Sequence, residues 1–273
     1  MRRRRTLFAL VVATLFCLPL VYAEQLDIYR QIKELTPYFG GGDKKFFFSS
    51  DYELSFIRFG ATKTHWQLLT ERFMYFVKGQ IPYVEFNWHR RGEVTDLTVD
   101  GGSYFRFKNS NLHVKTGFGL DADFIYRFQL QAEYEHRLYK GLYGKIGSRY
   151  LHYQDSETVI FTPAGLSLYY GNHYLTADYN FSITEGRADA HWATVKAYLL
   201  LHPRLMTWVG VAAGQRLFDI QALDSQKQGG VIIFSGAEWR LSENIKAHAG
   251  YSYSEEKPNF LKRSIEGGLT VRF

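Results

Sequence analysis

The sequence is poor in cysteine, proline and methionine, and its longest apolar run lies at the N-terminus. The 273 residues include one Cys, six Pro and three Met. A single cysteine excludes a framework of intrachain disulfides, so the stability of the chain must come from its own packing or from lipid. The mean hydropathy of −0.25 excludes a bundle of membrane-spanning helices, which needs several nearly uncharged runs of about 20 residues.

Aromatic residues are abundant, and the formal charge is positive. The chain holds 22 Phe, 20 Tyr and 5 Trp, and 46% of its residues are hydrophobic, a fraction that excludes a disordered chain. The net charge of +6 would ordinarily suggest a nucleic acid or an anionic surface as partner. Four of the arginines stand together at positions 2–5, however, so this charge has to be considered together with the N-terminus.

Residues 1–23 have the features of a cleaved secretory signal peptide. The four arginines precede an apolar stretch from Leu7 to Tyr22, and Val21-Tyr22-Ala23 places small or compact residues before the predicted cleavage site. A membrane anchor is the alternative, but the stretch is short for a spanning helix of about 20 residues. Cleavage lowers the net charge from +6 to about +2, because no acidic residue lies among the first 23. The mature chain therefore gives no reason to expect a nucleic acid partner.

Residues 24–45 are predicted to form an N-terminal segment in the periplasm. The stretch from Glu24 to Leu35 could contain one short helix, with Leu26, Tyr29 and Ile32 loosely on one side. Beyond this segment no helical period is kept for long.

From residue 46 to residue 273 apolar and polar residues alternate. Near the C-terminus Ile265, Leu269 and Val271 share one face, and the other face is polar or small. A period of two residues predicts β-strands. The pattern divides the chain into fourteen segments: 46–60, 63–77, 80–91, 94–107, 111–121, 124–138, 141–154, 157–170, 172–184, 188–202, 204–216, 229–241, 244–255 and 260–273.

These segments predict an all-β fold, a single antiparallel transmembrane β-barrel over residues 46–273. It has about 14 strands, or 12 if residues 46–77 do not span the membrane. Tight turns at one end and longer loops at the other are typical of outer-membrane barrels, and an even strand number places both termini in the periplasm. A spanning sheet must close, because lipid cannot hydrogen-bond an open edge. A soluble periplasmic β-sandwich is the alternative, since one solvated face also gives alternation.

The aromatic residues are expected on the outside of this barrel. Tyr and Trp favour the two membrane–water interfaces, where they form girdles. Residues near the segment ends predict such girdles: Tyr134, Tyr169, Tyr170, Trp239, Tyr251 and Tyr253.

The last eight residues resemble the C-terminal strand signal that the bacterial outer-membrane assembly machinery recognises. The pattern consists of Glu266, Gly268, Val271 and the terminal Phe273. The assembly machinery is therefore a predicted partner, together with the lipids and lipopolysaccharide of the outer membrane.

Two further stretches resemble the YaiO-type family of bacterial outer-membrane β-barrels. They are an Arg-Tyr-Leu element at 149–151 and a Gly-x-x-x-Tyr-x-Gly-Asn turn at 165–172. The resemblance covers essentially residues 46–273 and implies an outer-membrane barrel, but it implies little about activity. Members are similar to barrels that occur alone or attached to helical repeats in exopolysaccharide systems, and this chain has no room for such repeats.

Charged side chains on the polar faces are predicted to form a network in the lumen. The candidates are Arg127, Glu133, Glu135, Arg137, Lys145, Arg149, Asp178, Lys196, Glu238, Arg240, Lys246, Glu266 and Arg272. One interpretation is structural, with charges paired across neighbouring strands that hold the barrel shut. The other is a polar channel whose charges select solutes. The mixture of signs favours the structural interpretation.

Three functional hypotheses follow. The first is a non-enzymatic barrel, structural or a narrow channel for small or saccharide solutes. The second is an enzyme that modifies lipid or lipopolysaccharide, for which Ser148 and His152 are candidates, although four residues along a strand place them about 13 Å apart. The third, by family analogy alone, is a partner barrel in envelope polysaccharide export. No motif predicts a metal site or a cofactor.

Overall fold

The computed structural model describes residues 46–77, 79–120, 122–154, 156–185, 189–215, 229–257 and 259–273. The predicted signal peptide and N-terminal segment lie outside the described residues. No helix among the described residues is long and apolar enough to cross a bilayer.

Fourteen antiparallel strands form one closed barrel. Each strand pairs with its neighbours in the chain, and β1 pairs with β14 from Phe47 opposite Arg272 to Phe59 opposite Phe260. The strands are β1 (Phe46–Phe59), β2 (Thr62–Tyr75), β3 (Gln80–Arg91), β4 (Val94–Arg106), β5 (Ser110–Leu120), β6 (Phe128–Tyr139), β7 (Leu142–His152), β8 (Glu157–Tyr170), β9 (His173–Thr184), β10 (Ala190–His202), β11 (Leu205–Gln215), β12 (Gly229–Arg240), β13 (Ile245–Glu256) and β14 (Phe260–Arg272). The predicted 14-strand barrel is confirmed. The 12-strand alternative is wrong, because β1 and β2 pair along their whole lengths.

The two ends of the barrel differ in their connections. We call the end where β1 begins and β14 ends the terminal end, and the opposite end the loop end. Connections at the terminal end have two to four residues, such as Gly171-Asn172, where Gly171 has a φ of 57° that a tight hairpin turn requires. The loop end carries the longer connections, including the one between Gln215 and Gly229.

The two faces of the wall have opposite chemistry. On β9 the inward side chains of Thr176, Asp178 and Asn180 are buried, whereas the outward Leu175 and Tyr179 are exposed. A soluble protein buries the apolar residues instead, so the fold suits an apolar surrounding on the outside and a polar lumen inside.

One strand boundary differs from the prediction by more than two residues. The alternation predicted a strand from residue 124, but β6 begins at Phe128. Phe124, Tyr126 and Phe128 continue the period of two, which made the loop indistinguishable from a strand. Residues 122–127 instead fold inward, and we call them the inward loop.

Candidate functional site

One half of the lumen is packed by a charge network on β2 to β5. Lys115 Nζ lies 3.0 Å from Glu85 Oε1 and 2.8 Å from Asp100 Oδ2. Arg72 Nε donates to Glu85 Oε2 at 2.6 Å. The Glu85 and Asp100 residues are 4% and 1% exposed, so these charges are stable only because each one has an opposite partner.

Neutral side chains complete this network. Asn87 Nδ2 lies 3.0 Å from Glu85 Oε1 and 3.1 Å from Asp100 Oδ2, and Thr70 donates to Asn87 Oδ1 at 2.7 Å. Gln129 Nε2 on β6 donates to Asp100 Oδ1 at 2.8 Å. With several donors on each carboxylate, the network is close to satisfied and therefore rigid.

One buried carboxylate binds three backbone amides of the inward loop. Asp96 on β4 is fully buried and accepts backbone N–H bonds from Asp123 at 3.1 Å, Phe124 at 2.9 Å and Ile125 at 3.1 Å. Asp96 is on the lumen side of β4, since Thr98 and Asp100 share its face. The loop therefore folds onto the lumen side of β4 at the loop end.

Side chains of the inward loop reach the charge network. Tyr126 donates its hydroxyl proton to Asp100 Oδ1 at 2.8 Å. Burial, and the nearby Asp100 carboxylate, raise the pKa of Tyr126 above its ordinary value, so the hydroxyl remains a donor. The Arg91 guanidinium lies 4.3 Å from the ring centres of both Trp66 and Phe124.

The other half of the lumen holds a cavity of about 550 Å³. Its lining comes from β8 to β14 and from β1 and β2, with Trp192, Trp208 and Phe234 among the aromatic side chains. Several charges on this side form ion pairs, among them Lys262 with Glu53 at 2.7 Å. Two more ion pairs are Lys246 with Glu238 and Lys145 with Asp178, each at 2.7 Å, and the His248 ring lies 3.5 Å from Asp51 Oδ1.

Aromatic clusters narrow the lumen at the terminal end. One consists of Phe47, Met74, Ile81, Tyr83 and Tyr104, and the other of Tyr174, Tyr198 and Met206 with Tyr169 and Trp208 packed against it. The prediction that Tyr169 belongs to an outer girdle is wrong, because its ring stacks on Tyr174 inside the lumen at 4.9 Å. Tyr174 shares the polar face of Thr176, and this parity could have revealed the inward rings.

Comparison with known protein families shows to which family this barrel belongs. The model of the YaiO membrane beta barrel domain matches residues 48–216, more than half of the chain. The chain belongs to the YaiO family. The resemblance at 149–151 and 165–172 is thereby confirmed, and the protein is a membrane β-barrel of the outer-membrane type.

Solved structures share the fold of this YaiO barrel. CymD, a monoaromatic hydrocarbon channel, has a TM-score of 0.60 at 7% identity over 89% of this chain and 92% of that one. A bacterial polysaccharide outer membrane secretin has 0.53 at 10% over 82% and 98%. The translocator domain of autotransporter NalP from Neisseria meningitidis has 0.52 at 11% over 91% and 96%. At these identities the likeness establishes the fold alone. No curated protein matches the chain.

The structure brings most of the predicted lumen charges of this YaiO barrel into the interior. Glu133, Glu135, Lys145, Asp178, Lys196 and Lys246 are buried, and Glu238, Glu266, Asp178 and Lys196 line the cavity. Arg149 Nε donates to Gln129 Oε1 at 3.2 Å. Arg240 and Arg272 lie partly buried at the terminal end, where the Arg272 guanidinium is 5.7 Å from the Phe47 ring.

Two predicted network members lie outside it. Arg127 precedes β6 and Arg137 lies near its end, and both are exposed. Arg137 Nε donates to the Lys140 carbonyl at 2.9 Å instead. Position on the polar face of a strand does not by itself place a residue in the lumen network, because the last residues of a strand project beyond the lumen.

Four charged residues of the packed half were missing from the sequence-based network: Arg72, Glu85, Asp100 and Lys115. The alternation of Val84 and Phe86 with Glu85 and Asn87 was the signal that could have found them. Within the described residues, no three His, Cys, Asp or Glu side chains are grouped as a metal site.

Proposed function

We propose that this YaiO barrel is a narrow channel of the bacterial outer membrane for small polar solutes. The observation that carries the proposal is the asymmetry of the lumen. Charges and the inward loop are packed against β2 to β6, whereas a cavity of about 550 Å³ lies along β8 to β14 and reaches β1 and β2. A cavity of roughly 300–1,000 Å³ is typical of sites for small molecules. The paired charges around it suit polar solutes.

The names of the neighbours agree with a transport role but do not define the solute. One is a monoaromatic hydrocarbon channel and another a polysaccharide outer membrane secretin. The solute of this chain has to be argued from its own lumen.

The proposal includes export and assembly. Residues 1–23 direct the chain out of the cytoplasm of a Gram-negative bacterium, and the assembly machinery recognises the last strand through Glu266, Gly268, Val271 and Phe273. In the membrane the exposed apolar face contacts the lipids and the lipopolysaccharide.

Blocking the cavity tests the channel. Ser252 lines the cavity on β13, whereas Ser235 on β12 is exposed on the outer face. We expect Ser252→Trp to lower two quantities to less than about half of their values in the unaltered protein: the conductance in planar bilayers and the rate of solute entry into liposomes. The reason is that the indole fills the free volume of the cavity. The matched control, Ser235→Trp, faces lipid and leaves both unchanged.

The unaltered protein supplies the second criterion. A purified barrel that shows neither conductance nor solute entry overturns the proposal. An S252W variant that conducts like the unaltered protein overturns it as well.

A further inference from the structure

We propose that the cavity binds a neutral saccharide, whose ring stacks on two aromatic side chains that lie flat against the wall. The inference rests on the proposed function for its role in transport, whereas the binding itself is argued from the lumen. The two side chains are Trp208 on β11 and Phe234 on β12, and we call them the aromatic platform.

Two glycines make the platform flat. Trp208 lies opposite Gly236, and Phe234 lies opposite Gly210, two positions along the same pair of strands. A Cβ on Gly236 would overlap the six-membered ring of Trp208, and one on Gly210 would overlap the ring of Phe234. Each ring thus covers the glycine of the other strand. Because the rings rest on backbone, they present their faces to the cavity.

Members of two ion pairs line the same cavity as the platform. The nearby pairs are Lys262 with Glu53 and Lys246 with Glu238, each at 2.7 Å. The ring of His248, which contacts Asp51, lies 6.3 Å from that of Trp208. A pair of opposite charges offers hydrogen-bond donors and acceptors but little net field. Such surroundings suit a ligand with many hydroxyl groups and no charge.

A cationic ligand is disfavoured by the chain's own lysine. Lys196 Nζ lies 5.6 Å from the ring centre of Phe234 and 4.6 Å from that of Tyr198. The position in which a ligand cation would be attracted to these rings is therefore occupied. A purely aromatic ligand would cover the rings but would displace water from the nearby charged pairs without offering them hydrogen bonds of its own.

A sugar ring matches both parts of the site. Its C–H groups form an apolar face for the platform, and its hydroxyl groups lie at the edge, where the charged pairs can bind them. The cavity of about 550 Å³ is of the size that binds small molecules, roughly 300–1,000 Å³.

Calorimetric titration of the purified full-length protein in detergent tests the site. Glucose, maltose and maltotriose serve as neutral probes, glucosamine as the cationic, glucuronate as the anionic and benzyl alcohol as the aromatic probe. We expect the unaltered protein to bind a neutral sugar saturably. The Trp208→Ala variant should bind this sugar with a Kd at least about tenfold higher, because the larger platform ring is lost. Trp208→Phe keeps an aromatic face and restores part of the affinity. The control is Trp239→Ala, since Trp239 is exposed on the outer face.

The outcomes separate this inference from the channel. The saccharide proposal is wrong if none of the neutral sugars binds, if a charged or aromatic probe binds more tightly, or if W208A binds like the unaltered protein. Conductance without sugar binding overturns the saccharide proposal alone. Sugar binding by a barrel that shows neither conductance nor solute entry overturns the channel alone.

Discussion

Lys145 is a fully buried lumen residue whose replacement should destabilise the barrel. Its side chain has no exposed surface, and its ammonium bonds Asp178 at 2.7 Å. Glu135 lies opposite it on β6 and is also buried. Removing one partner of a buried pair leaves the other charge uncompensated, at a cost of about 3–5 kcal/mol.

We therefore expect Lys145→Ala to lower the free energy of unfolding by about 3–5 kcal/mol. Urea unfolding of the reconstituted barrel, followed by tryptophan fluorescence, measures the change. Lys145→Met combined with Asp178→Leu should recover part of it, because neither charge remains. Lys140→Ala, at an exposed turn, is the control and should change stability by less than about 0.5 kcal/mol. Equal stabilities of K145A and K140A would contradict the expectation.

Alternation predicted which residues face the lumen but not which residues they contact. Lys145 is on β7 and Asp178 is on β9, so the pair bypasses the strand between them. Gly165 of β8 makes this possible, since a Cβ there would overlap Asp178 Oδ1. The register of a sheet predicts contacts between adjacent strands only. A glycine on the intervening strand gives no sign in the sequence that two charges meet across it. Pairs on adjacent strands, such as Lys246 with Glu238, can be predicted from the register.

At the scale of elements, the inward loop depends on Asp96. Three consecutive amides donate to this carboxylate. We expect Asp96→Ala to release residues 122–127 and to increase the amide hydrogen exchange of residues 123–125 by at least about tenfold, because buried donors lose their acceptor. Asp189→Ala is the control, since this carboxylate is exposed at the same end. Unchanged protection in D96A would show that other contacts hold the loop.

The strands were predictable and the inward loop was not, for one physical reason. A strand of this barrel has one polar and one apolar face, so the type of each residue indicates the face on which it lies. The loop is defined by a contact between Asp96 and amides nearly thirty positions away, which no local pattern records. The cavity was unpredictable for the same reason, because its walls come from strands throughout the chain.

At the scale of the whole molecule, Phe273 takes part in closing the barrel. The Phe273 amide donates to the Phe46 carbonyl at 3.0 Å, and its ring is 60% exposed on the outside. We expect deletion of Phe273 to reduce the amount of folded barrel in the outer membrane to less than about half, because the bond to Phe46 is lost and, under our proposal, recognition by the assembly machinery is lost as well. Heat-modifiable migration of membrane fractions measures the folded amount. Phe107→Ala removes an exposed ring at the same end and should have no effect; an equal loss in both variants would exclude a special role for the terminus.

The aromatic residues of the whole molecule divide between two environments. Phe273, Tyr170 and Trp239 are exposed on the outside, whereas Tyr104, Tyr174 and Tyr198 are almost completely buried. The alternation predicted the membrane barrel, whereas the aromatic residues were expected on its outside. The aromatic residues that point inward narrow the lumen and form the aromatic platform.

The pairing of β1 with β14 also has a consequence for the order of folding. Thirteen of the strand pairs join neighbours in the chain and form with little loss of loop entropy, but this one joins the two ends. Long-range pairs are slow to form. The nascent sheet therefore has two open edges until its final step, and a chain that pauses before that step has strands available for pairing with other chains.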